Sequence, residues 1–158
     1  MKKLPTVLLC GGLFCAASQA AEPVNQVAVL THHQAQQLVE KAEQIIGSHH
    51  IGGAIAVVDP FGQLIAYERL DGATLANSEL APKKAHSAAA FGVPTSSYQQ
   101  KIAAGNVGML GNPVVVPLPG GEPVKVNGVV VGAIGVSTPD GNVDAEAAQG
   151  ALSALKAG

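Results

Sequence analysis

Asn127 and Gly128 separate a short run, Val124 to Val126, from a nearly unbroken apolar stretch, Val129 to Ser137. Both turn residues accept positive φ, which the two-residue turn of a tight β-hairpin requires. A strand as apolar as Val129–Ser137 has no face to give to water, so it belongs inside a sheet that is covered above and below. The remainder of the chain must therefore supply antiparallel neighbours for that strand and helices to pack on both of its faces.

The other segments provide those parts. Ala54 to Asp59 is a second continuous apolar run, Pro60-Phe61-Gly62 suits a tight turn, and Gln63 to Leu70 alternates more, which together predict another hairpin. Asn106 to Pro123 is rich in Gly and Pro and encloses Val114 to Val116, read as a loop, a brief strand and a turn at Pro119-Gly120-Gly121. From Thr31 onward, Ala35, Leu38, Val39, Ala42, Ile45 and Ile46 recur at helical spacing, Thr31 and Gln34 form a capping box, and Gly47 ends the helix. Ser78 to Gly92 reads as an alanine-rich helix with Pro82 in its first turn, Thr95 to Ala104 as a short third helix. Asp144 is expected to cap a final helix with Ala148, Ala151, Leu152 and Leu155 on one face. The order predicts an α+β fold in α/β/α layers, one mainly antiparallel sheet of five strands with helices on both faces.

The first twenty residues read as a signal peptide: Lys2 and Lys3, an apolar run from Leu4 to Ala17, then Ser18-Gln19-Ala20 with the small residues a signal peptidase needs. This divides the chain into a leader, 1–20, an N-terminal extension, 21–30, and one domain, 31–158, and predicts a periplasmic or secreted location. Cys10 and Cys15 both fall inside the leader, so the mature chain has no thiol and must be held by its core alone. Without Lys2 and Lys3, seven basic side chains face eleven acidic ones, a formal charge of −4 with histidines neutral. Nucleic acid is not an expected partner, and no segment after the leader is long and apolar enough to insert into a membrane.

Several stretches line up with a known pattern: Ala56-Val57-Val58-Asp59-x-x-Gly62, Arg69-Leu70-Asp71-Gly72-Ala73 and Ala81-Pro82-Lys83-Lys84-Ala85. Gly120-Gly121-x-Pro123-Val124, Gly132-Ala133-Ile134-Gly135-Val136-Ser137 and Asp144-x-x-Ala147 complete it, so that it spans nearly the whole chain from Thr31. The chain resembles the GlcG/HbpS family, also found as the C-terminal domain of PduO-type proteins. The resemblance implies a profilin-like fold with a five-stranded antiparallel sheet, assembly into dimers or larger homo-oligomers, and haem binding. One departure is Thr138-Pro139-Asp140-Gly141, where a second small-residue turn is usual, and this loop is expected to bear on the shape of the pocket.

Arg69, Asp71 and Lys84 are the charged residues of the most specific motifs. Arg69 or Lys84 would suit a haem propionate or a small organic acid, since a guanidinium clamps a carboxylate through two hydrogen bonds and an ammonium attracts it as a point charge. The alternative is that Arg69 and Asp71 pair locally and fix the hairpin exit. With no cysteine in the mature chain, iron would need His32, His33, His49, His50 or His86, with Met109 and Tyr98 as weaker donors. His86 is the metal-ligand candidate because it shares a helix with the lysine motif. Gly120 and Gly121 either offer amide N–H groups to an anion or simply make a tight turn. Nucleophile-elbow, zinc-protease and phosphate-loop motifs are absent, and Gly105-x-x-Gly108-x-x-Gly111 lacks the strand–turn–helix setting of a nucleotide site. Three readings follow: an exported haem or tetrapyrrole binder in haem sensing, iron handling or haem degradation; a binding or enzymatic domain for a small hydroxy or keto acid with Asp71 as base; and a structural oligomer without ligand.

Overall fold

In the computed structural model, residues 26–155 are described. The leader assigned to 1–20 lies outside the described residues, as do 21–25 of the extension and 156–158. The Asn-Gly hairpin consists of β3 (Gly121–Val126) and β4 (Val129–Ser137), turning through Asn127 at φ 51° and Gly128 at φ 82°. The other hairpin is β1 (Ala54–Val58) and β2 (Leu64–Arg69). Their order is β2-β1-β4-β3 with every pair antiparallel, so the two most apolar strands are the central ones.

The sheet has four strands where five were expected. Val114–Val116 joins no ladder, because its amide donors are already taken. Val114 donates to the Asn112 side chain at 3.0 Å, Val115 to the Asn112 carbonyl at 3.1 Å and Val116 to the Ser87 hydroxyl at 3.2 Å. Pro113 and Pro117 flank the run and have no donor to offer a neighbouring strand. Valine content predicts a strand, but prolines on both sides and a competing Asn turn decide against it.

Helix α1 (His32–Ser48) opens with the expected Thr31–Gln34 capping box but runs past Gly47, and the left-handed residue is His50 at φ 56°. Helix α2 (Leu75–Phe91) starts before Ser78, because Thr74 and Asn77 form a capping box, and it closes on Gly92 at φ 63°. Pro82 therefore lies inside the helix instead of in its first turn. Helix α3 is Ser96–Ala103. Helix α4 (Gly141–Ala151) is capped by Asp140, whose side chain accepts from the Asn142 amide at 2.8 Å; Asp144, the expected cap, is buried one turn further on.

Strand alternation sorts the core into two layers. Ile55, Val57, Ile134 and Val136 face α1 and α4, packing on Leu38, Val39, Ile46 and Val143. Ala54, Ala56 and Ala133 face α2, packing on its Ala81, Ala85 and Ala88. This second interface is thin by necessity: a Cβ on Gly135 would lie 2.5 Å from the Ala85 amide nitrogen. Small side chains on both surfaces let the helix axis come close to the sheet, and the packing covers β1, β3 and β4. On the same face of the edge strand β2, Leu64 sits opposite Val58 and Tyr67 opposite Ala56, and they remain 57% and 41% exposed. The uncovered strip beside α2 is where a cleft can form.

Candidate functional site

A cleft of about 650 Å³ opens at the end of β2 that adjoins the β1–β2 turn. Its volume is in the range of pockets that hold small molecules and cofactors, about 300–1,000 Å³. Three segments build it: Gly62, Gln63 and Leu64 from the turn, Pro82, Lys83 and His86 from α2, and Pro113, Val114 and Val116 from the loop before β3. Apolar groups dominate the walls, with one imidazole and one ammonium among them.

Each wall is fixed by local chemistry. Asp59 organises the turn, its carboxylate accepting from the Phe61 and Gln63 amides at 2.8 and 2.9 Å while its carbonyl accepts from Gly62 at 3.0 Å. The loop is tied to α2 where Ser87 accepts from Val116, and to the start of α3 where the Thr95 hydroxyl donates to the Leu118 carbonyl at 2.5 Å. On α2, Glu79, Pro82, Lys83 and His86 are spaced three and four residues apart, so they share a face. Lys83 Nζ lies 3.5 Å from Glu79 Oε2, and both side chains are mostly exposed. His86 is exposed, and among the described residues its ring makes no hydrogen bond.

Of Arg69, Asp71, Lys84, His86, Gly120 and Gly121, His86 alone lines this cleft. Lys84 is one residue away in sequence but points into the core. Its ammonium donates to the Val136 carbonyl at 2.9 Å and to Asp144 Oδ2 at 2.6 Å, with only 2% of the residue exposed. Asp144 completes that buried site by accepting from the Thr138 amide. Burial pulls the Lys84 pKa down, and Asp144 opposes the shift without cancelling it. The cation of the motif that lines the cleft is thus Lys83, not Lys84.

Arg69 and Asp71 are exposed at the far end of β2, since Arg69 pairs with Ala54 and the cleft adjoins Leu64. The length of β2 separates them from the cleft by about 16 Å. Arg69 donates to the Ala73 carbonyl at 3.3 Å, and no Arg69–Asp71 ion pair forms among the described residues. The glycine pair serves close packing. A Cβ on Gly120 would meet Val136 O at 2.6 Å, one on Gly121 would meet Lys84 O at 2.6 Å, and the Gly121 amide donates to Thr95 Oγ1. The Thr138–Gly141 turn takes no part in lining the cleft.

The remaining donor candidates are scattered. His32, His33, His49 and His50 sit at the two ends of α1, with His49 Nε2 3.0 Å from Glu146. Tyr98 is buried edge-on to Phe91, and Met109 lies in the 3₁₀ turn Val107–Gly111. Among the described residues no three His, Cys, Asp or Glu side chains converge as a metal cluster.

A family model described as a haem degrading protein, HbpS-like, matches residues 30–153. The chain belongs to the HbpS-like family. Protein GlcG of Escherichia coli K12 is 29% identical over 109 residues, covering 69% of this chain and 81% of GlcG. A double mutant of HbpS from Streptomyces reticuli superposes with a TM-score of 0.78 at 29% identity, covering 89% of this chain and 97% of that one. A PduOC:haem complex superposes with a TM-score of 0.73 at 28% identity, covering 83% and 98%. The HbpS-like fold of this chain thus extends over essentially the whole length of those two structures.

Proposed function

We propose that this HbpS-like protein binds haem or a related tetrapyrrole in the α2 cleft, with His86 as the iron donor and Lys83 as the contact for a propionate. The observation that carries the reading is one unpaired imidazole in a cleft whose other walls are mostly apolar. The donor set suits the group: a tetrapyrrole supplies four nitrogens to its own metal and asks the protein for a single axial ligand, apolar surface for the ring and a cation for the carboxylates. Leu64, Pro82, Val114 and Val116 provide the apolar surface. Bound haem would supply iron-centred redox chemistry, and this chain's residues would hold the ring, exclude water from one face and neutralise a carboxylate. The haem degradation in the family description and the haem in the PduOC complex support the reading. Export through the 1–20 leader belongs to the same proposal, and N-terminal sequencing of protein recovered from outside the cytoplasm tests it.

The test is a hemin titration followed at the Soret band. A saturable one-to-one shift is expected, and His86→Ala should weaken it by at least about tenfold, because changes even one shell beyond a metal ligand cost that much. Lys83→Ala should weaken it by about two- to fivefold, the worth of an exposed charge contact. Arg69→Ala should leave it unchanged. Absence of a saturable shift in the unmodified protein, with thermal stabilisation by small hydroxy or keto acids in its place, would overturn the proposal in favour of acid binding.

A further inference from the structure

His86 does not stand free in the cleft; its ring rests on the β1–β2 turn. A Cβ built on Gly62 would lie 2.6 Å from His86 Cε1 and closer still to Nδ1, with Cγ at 3.2 Å. The Nδ1–Cε1 edge of the imidazole is therefore against the glycine, and Nε2 is the ring nitrogen turned away from it. We propose that Gly62 is a positioning residue for His86: the space left by its missing side chain sets the orientation in which Nε2 is presented to a ligand. The inference rests on the tetrapyrrole reading for its consequence, although the placement of the ring is a property of the chain by itself.

Two demands meet at Gly62. The turn needs a residue at φ 82°, a region that side-chain-bearing residues rarely adopt, and the imidazole needs an empty Cβ position. Gly72 separates the two. It has a nearly identical φ of 79°, yet a Cβ there would meet only the Gly52 Cα, at 4.0 Å. Gly72→Ala imposes the backbone strain alone, whereas Gly62→Ala imposes strain and displaces the ring.

The experiment compares the unmodified protein, Gly62→Ala and Gly72→Ala by melting temperature, by NMR of the His86 ring without ligand, and by the hemin spectrum. Both variants should melt lower by similar amounts. Gly62→Ala should move the His86 ring resonances, weaken hemin binding by about tenfold and lose the spectral signature of histidine ligation, and Gly72→Ala should do none of these. Unmoved His86 resonances in Gly62→Ala, or equal movement in Gly72→Ala, overturns the proposal. If Gly62→Ala does not fold, Gly62→Asn takes its place, because Asn tolerates the left-handed region and carries the same Cβ. If the unmodified protein takes up no hemin, the functional reading falls, and the ring resonances alone decide whether Gly62 positions His86.

Discussion

Asp144→Asn is the substitution that most directly probes how this fold is locked. The change keeps the shape and the oxygen that accepts from Thr138, but it leaves the Lys84 ammonium without its anion in a site where the two side chains are 2% and 4% exposed. At 2.6 Å the attraction is about 6 kcal/mol with an effective dielectric of about 20, and taking both ions out of water costs several kcal/mol each. The intact pair is therefore close to neutral for stability, while an orphaned ammonium is not. Breaking one side of a buried pair costs about 3–5 kcal/mol, which for a domain of this size is a fall in Tm of about 10–20 °C.

The same loss should depend on pH, and the direction follows from Lys84. Its folded pKa is lowered by burial, so between that value and 10.5 the unfolded chain holds more protons than the folded one and stability rises with pH. Asp144→Asn removes the attraction that limits the lowering, and the window extends downward. The deficit of the variant is thus largest near neutral pH and shrinks as its lysine becomes neutral in alkali. Urea unfolding followed by circular dichroism at pH 7 and pH 9.5 measures both quantities. Adding Lys84→Met to Asp144→Asn should recover at least about 2 kcal/mol, since the stranded charge is gone. A loss below about 1 kcal/mol, or the same loss at both pH values, would refute the reasoning.

Three further outcomes are expected. Gly135→Ala should cost about 1–3 kcal/mol by forcing α2 off the sheet, and a variant as stable as the parent in urea would contradict the close packing on Ala85. Glu122 sits on the edge strand β3 with its pKa pushed up to about 7 by burial, so the folded state holds its proton longer and stability falls as pH rises from about 4.5 to 7. After allowance for its partial exposure this is about 1–2 kcal/mol, and Glu122→Gln should flatten the slope and melt higher than the parent at pH 8. Ser87→Ala removes the acceptor for Val116 at a cost of about 1 kcal/mol, and hydrogen exchange at the Val116 amide should quicken; unchanged protection would show that the cleft wall is held by something else.

The sequence carried the sheet well where composition and turn chemistry agreed. Asn127-Gly128 and the apolar runs on β1 and β4 marked the two hairpins and the two strands that lie at the centre of the sheet. It misled where one local signal could be outbid by another. Val114–Val116 has strand-forming residues, yet Asn112, Ser87 and two prolines dispose of its donors. Thr74 gives a weak cap signal in sequence, because its partner at the third helical position is Asn77 instead of Glu or Gln. Asp140 and Asp144 are one helical turn apart and both precede a helical stripe; the difference between a cap and a buried counter-ion lies with Lys84, which is 60 residues away in sequence.

The lysine pair shows why the site was only half legible. Consecutive helical residues point about 100° apart, so Lys83 and Lys84 cannot both serve one face. The register of α2 is set by its alanines: Ala81, Ala85 and Ala88 define the side that must lie on the sheet, and Lys84 falls on that side. Lys83 and His86, three residues apart, then fall together on the side left open beside β2. A helical-wheel reading of the alanines would have exchanged the two lysines without any structure. The edge of His86 that meets Gly62 could not be found in that way, because it depends on a contact between a turn and a helix that no periodicity encodes.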